Sequence, residues 1–169
     1  MTALAWLEAY RGESVDELVA LASEYRIDSL LVALETALLG RAEKLGLACL
    51  SEAERTVVAI EALEREVNNG GFHQFFLNAP EHVAEIVPAL LRIGCAIPAE
   101  ISQCAIAHLG LGTNFSPEQV RQALEQDVVG NLVEVLSDQC DQHYYTSDEP
   151  IADRLFAYVC TNRWAIRLT

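Results

Sequence analysis

An all-α fold, a compact multi-helix bundle of about eight to ten helices with no sheet, follows from three features of this 169-residue sequence. Apolar residues recur at the helical period along nearly the whole chain, and no segment alternates with a period of two. Capping signatures at Ser14, Ser51 and Ser116 each open such a periodic segment. Glycine and proline are few and fall mostly singly between the segments, as suits short turns.

The first helix is expected over about Thr2 to Arg11, stopped by Gly12. Ser14-Val15-Asp16-Glu17 is a capping box, in which Ser14 accepts from a first-turn amide and Glu17 reaches back. Val15, Leu18, Val19, Ala22 and Tyr25 continue as an apolar stripe, with Asp16, Glu17, Glu24 and Asp28 turned away from it. A helix over Asp28 to about Leu45, ended by Gly46, is apolar almost all round, which marks it as central. Arg41 to Leu50 reads as a connection. Residues 1–47 are therefore expected to form an N-terminal helical extension, and residues 48–169 the main domain.

Ser51-Glu52-Ala53-Glu54 opens a helix to about Val67 with Val57, Val58, Ile60 and Leu63 inward. Asn68, Asn69, Gly70 and Gly71 then stop it, because all four tolerate left-handed backbone. Phe72, Phe75 and Phe76 share one face of a short helix and form an aromatic wedge for the core. The amides of Asn68, Asn69, Gln74 and Asn78 are expected to satisfy backbone groups bared by the turn. Pro80 suits a first helical position, and the next helix ends at Gly94 with a kink or break at Pro88. Pro98 begins a helix through Ile101, Ala105, Ile106 and Leu109, stopped by Gly110 and Gly112. Ser116-Pro117-Glu118-Gln119 opens one that ends near Asp127, and Gly130 separates it from a helix over Asn131 to Tyr145. The last starts near Pro150, with Ile151, Leu155, Tyr158 and Val159 on one face.

Hydrophobic residues make up 51% of the chain, enough for a real core and against disorder. No apolar run reaches eighteen residues, so no membrane span is expected. The N-terminus lacks the basic start of a secretory signal. The five cysteines are an odd number without a C-x-x-C pair, and their apolar neighbours point to buried thiols in a reducing cytoplasm. Twenty-five acids against eleven bases give a net charge of −14. That balance argues against direct nucleic-acid binding, which needs Lys and Arg against phosphate, and equally against an anionic membrane surface. Net charge is −5 over residues 1–40, −8 over 118–153 and +3 over 154–169.

The late acidic segment carries the most suggestive pattern. Glu134, Asp138 and Asp141 recur at i, i+4 and i+7, opposite a face of Leu132, Val135, Leu136, Gln139, Cys140 and His143. Like charges at that spacing repel by about 0.2–0.5 kcal/mol per pair, and no Lys or Arg is interleaved. Glu118 and Glu125 share a face one helix earlier, and Asp16, Glu17 and Glu24 form a second patch. A row of uncompensated carboxylates can imitate a row of phosphates. The plainer alternative is a solvated face.

No catalytic residue is assigned, because no nucleophile has an identifiable partner. Gly70-Gly71 lacks the Lys, the Ser or Thr and the preceding strand of a phosphate loop. Cys104 and His108, and Cys140 and His143, each have the spacing of half a zinc site. No third and fourth ligand lie at familiar spacing, so neither metal nor cofactor is expected.

The stretch Glu66-Val-Asn-Asn-Gly-Gly-Phe-His-Gln-Phe-Phe-Leu-Asn78 resembles the signature of a widespread bacterial domain family found in the C-terminal part of a DNA-mimic protein. The likeness continues through Ile93-Gly94-Cys95, Leu136 to Asp141 and Leu155 to Val159, and covers roughly Ser51 to Asn162. It implies an all-α domain. The characterised member of the family is acidic and occupies the DNA-binding surface of a transcription repressor through surface carboxylates. The resemblance gives Glu66, Asn68, Asn69, Gly70, Gly71, Phe72, Gln74, Phe75, Phe76 and Asn78 a structural role and assigns none of them a function. The expected activity is therefore non-enzymatic. An acidic protein would bind a basic partner, such as a DNA-binding regulator, through Glu118, Glu125, Glu134, Asp138 and Asp141, with Asp16, Glu17 and Glu24 as a second surface. A homodimer is compatible with this. The alternatives are an immunity-type inhibitor of a toxin, and an enzyme with a polar pocket at the Asn-Asn-Gly-Gly-Phe-His turn.

Overall fold

The computed structural model of the chain describes residues 4–8, 10, 14–126 and 132–168. Eight α-helices stand among them: α1 Val15–Ala20, α2 Ile27–Leu45, α3 Glu52–Asn78, α4 Val83–Arg92, α5 Ala96–Ala107, α6 Pro117–Gln126, α7 Leu132–Tyr145 and α8 Ile151–Asn162. The described residues contain no sheet, only one isolated bridge. The fold is all-α. Thr2, Arg11, Gly12, Asp127, Gly130 and Asn131, named above as helix limits, lie outside the described residues. The chain divides into two compact units, one of Met1–Glu61 with Pro150–Thr169 and one of Ala62–Glu149.

In the first unit the helix expected before Gly12 does not form over residues 4–8. Ala5 pairs instead with Tyr25: its N–H donates to Glu24 O at 3.2 Å and its carbonyl accepts from Arg26 N–H at 2.9 Å. The Leu7 N–H donates to Ser29 Oγ at 3.1 Å. Backbone groups that a helix would satisfy internally thus find partners about twenty residues away. Ser14 caps α1 as the sequence predicts, accepting from Glu17 N–H at 3.3 Å. Leu30, Leu31, Leu34 and Leu38 of α2 are fully buried, whereas Val32 is exposed, so α2 does keep one wet edge.

The 47/48 position lies inside this unit, and hydrogen bonds run across it. Helix α2 packs against α8. Ser51 Oγ donates to Ala165 O at 2.8 Å, and Arg167 N–H donates to Glu54 Oε1 at 2.6 Å. Glu54 is buried and also accepts from Ser51 N–H at 2.7 Å and Arg41 Nη2 at 2.6 Å. Burial pushes this carboxyl up, but Arg41 and the two N–H groups outweigh it and hold the pKa below the ordinary value. The capping residue of α3 therefore also anchors the chain end to the early helices.

In the second unit α3 is broken at its two glycines. Gly70 is extended (φ −165°) and only Gly71 is left-handed (φ 78°); Asn68 and Asn69 stay helical. Beyond the break Phe72, Phe75 and Phe76 are fully buried, with ring centroids 6.1 Å apart for Phe72–Phe76 and 5.9 Å for Phe75–Phe76. Each buried ring contributes about 2–3 kcal/mol relative to exposure. A 3-10 turn over Pro80–His82 precedes α4, which runs on through the exposed Pro88. At its end Cys95 N–H bonds Leu90 O at 2.9 Å and Gly94 N–H bonds Leu91 O at 3.0 Å. Gly94 has φ 81°, completing a Schellman cap. Helix α5 packs against α4 and α7. Ser116 and Gln119 cap α6 reciprocally, at 3.3 and 2.8 Å. No helix among the described residues is long and apolar enough to cross a membrane.

Candidate partner-binding surface

The broken helix bares backbone groups, and α7 supplies their partners. Asp141 Oδ1 accepts from Phe72 N–H at 2.8 Å, and Tyr145 Oη donates to Val67 O at 2.6 Å. Tyr144 stacks edge-on against Phe72, centroids 5.6 Å apart, and its hydroxyl bonds the Glu64 carboxylate. Glu66 is a second hub. It accepts from Gln74 Nε2 at 3.0 Å, Asn78 Nδ2 at 2.8 Å and Arg65 Nε at 3.2 Å. Asn68 Nδ2 donates back to Glu64 O at 2.7 Å, while Asn69 is exposed. Gln74 and Asn78 thus serve a carboxylate and not the backbone. A cavity of about 370 Å³ in this unit is lined by Val83, Val87, Ile106, Leu111 and Phe115 among others.

Electrostatics follow burial. Burial pushes Glu64 up, opposed by the Tyr144 hydroxyl. Burial and the nearby Asp138 push Asp141 up, opposed by the Phe72 N–H and by His73. The three donors on Glu66 outweigh its burial and hold its carboxyl low.

The sequence set α7 in a different rotation. Its buried residues are Val133, Ser137, Cys140 and Tyr144, whereas Val135 is 58% exposed and Gln139 and His143 face solvent. Ser137 and Tyr144 are polar enough to hide the inward stripe from a hydrophobicity reading. The rotation separates the three acids: Glu134 and Asp138 are exposed, and Asp141 sits half-buried at the edge against the turn. Glu134 and Asp138 form no ion pair with a described residue, and neither does the exposed Glu125 of α6. Glu118 lies 3.6 Å from Arg121 Nη1, an exposed pair. The second patch belongs to the first unit. There Asp16 pairs with Arg163 Nε at 3.3 Å, Glu17 sits beside the Tyr10 phenol, and Glu24 is exposed. Exposed pairs of this kind are worth about 0–1 kcal/mol, but each cancels the charge its carboxylate would present to a partner.

The two Cys–His pairs of the sequence do not stand apart. Cys104, His108 and Cys140 bring one ligand atom each within 4.8 Å of the others, and His143 is not among them. Nothing in local spacing joins α5 to α7, so sequence reasoning saw two halves.

Comparison with known proteins gives a family. A family model described as DMP19-like protein matches residues 48–162, more than half of the chain. No curated protein matches it.

Proposed function

The chain belongs to the DMP19-like protein family, and from that premise we propose that it is a non-enzymatic acidic protein that binds a basic DNA-binding protein in place of DNA. The family name, with the DNA-mimic member that the motif resembles, supports the partner class. The observation that carries the reading is the exposed set Glu125, Glu134 and Asp138 on successive helices, without an ion pair to any described residue. Glu118 flanks it, partly compensated by Arg121. Asp141 adds charge at the rim while its carboxylate is engaged with Phe72. Carboxylates without counter-charges cost stability through repulsion, and attraction to a cationic partner is the use that offsets it. Asp16, Glu17 and Glu24 form a lesser surface, because Asp16 already has an arginine.

The test is capture from a lysate of the source cells on the immobilised full chain, with elution by duplex DNA. A captured protein that binds DNA, is displaced by it, and is released as salt rises supports the reading. Capture of a toxin that DNA does not displace points to the immunity-type role. Capture that survives charge reversal at Glu125, Glu134 and Asp138 overturns the surface.

A further inference from the structure

Cys104 and His108 stand one turn apart at the C-terminal end of α5, and Cys140 lies on the buried face of α7, the helix packed against it. Their ligand atoms lie within 4.8 Å of one another. A tetrahedral zinc ion with bonds of about 2.3 Å to sulfur and about 2.0 Å to nitrogen spaces its ligands about 3.5–3.8 Å apart. A contraction of about 1 Å therefore closes the site, which side-chain rotation supplies. His108 gives the second observation. Its Nδ1 is buried and has no hydrogen-bond partner, a state native interiors rarely leave without an ion or water to explain it. Two sulfur donors with one imidazole select a thiophilic cation over magnesium or calcium.

We propose that Cys104, His108 and Cys140 form a zinc site of two thiolates and one imidazole, its fourth position open to water beside the exposed Cys104. Binding exchanges two thiol protons for one Zn²⁺, so the net charge of the site does not change. The ion staples α5 to α7, the helix that holds the glycine break. The site is independent of the partner-binding role proposed above.

The test uses the reduced full chain, stripped with a chelator and titrated with cobalt(II), then zinc. One equivalent of cobalt binds with the intense visible absorption of a tetrahedral thiolate complex. Zinc displaces it and raises Tm by roughly 5 °C or more at saturation. Cys104→Ser, at an exposed position that leaves packing intact, and His108→Asn each weaken binding by at least about tenfold; His143→Asn does not. Less than half an equivalent bound, a pale octahedral spectrum, tetrahedral absorption undiminished in Cys104→Ser, or equal loss in His143→Asn overturns the site.

Discussion

Asp138 and Asp141 lie three residues apart on α7 and carry the same group, yet they belong to different regions. Asp141 meets the break in α3, where a bare N–H waits 2.8 Å away. Asp138 faces solvent with no described cation beside it. The same division separates Glu66, with its three donors, from Glu134. A carboxylate in this protein is structural where donors reach it and is left to solvent where no described residue does. Sequence spacing alone does not tell the two apart.

The sharpest break in that comparison comes at the glycines. A Cβ on Gly71 would lie 2.1 Å from Asp141 Oδ2, and φ is 78° there. Gly71→Ala should cost about 3 kcal/mol in urea unfolding. A Cβ on Gly70 would lie 2.1 Å from Gln74 Oε1, and moving that side chain breaks its bond to Glu66, but φ there is not positive. Gly70→Ala should cost about 1–2 kcal/mol, less than Gly71→Ala. Equal costs would show that the turn does not depend on the clamp.

Asp141→Ala leaves the Phe72 N–H without its partner and should cost about 2 kcal/mol. Asp141→Asn keeps an acceptor and should cost less than half of that. The exposed pair behaves otherwise: Glu134→Gln with Asp138→Asn should leave stability within about 0.5 kcal/mol of the parent, since repulsion is relieved and no bond is lost.

Acid titration separates structural carboxylates from one another. Glu54 is held below its ordinary value of 4.5, so its contribution is full above that pH and is lost as pH falls through the lowered pKa. Glu64 is pushed up, so its effect has the opposite sign: stability falls as pH rises from 4.5 through its raised pKa. Glu54→Gln should flatten the acid limb of a stability–pH profile, and Glu64→Gln should remove the decline on the other side.

Local rules made much of this fold legible. The boxes at Ser51 and Ser116 and the cap at Ser14 form because their partners lie three residues away. Gly46 and Gly94 end helices with positive φ for the same reason. What escaped is nonlocal. Residues 4–8 are not helical because Glu24, Arg26 and Ser29 supply their bonds. Asp141 read as a surface acid because its donor is 69 residues away. Cys140 joins Cys104 and His108 only through the packing of α5 on α7. Of the candidate surface, the acidic helices were visible, but the rotation of α7 was not, since a serine and a tyrosine occupy its inner face.

The most direct measurement compares the affinity of two charge-matched variants for a captured basic DNA-binding protein. Glu134→Gln with Asp138→Asn should weaken binding about tenfold at low salt, and Asp16→Asn with Glu24→Gln by no more than about twofold. Equal losses in the two would contradict the account, because net charge alone, and not an unpaired helix face, would then explain binding.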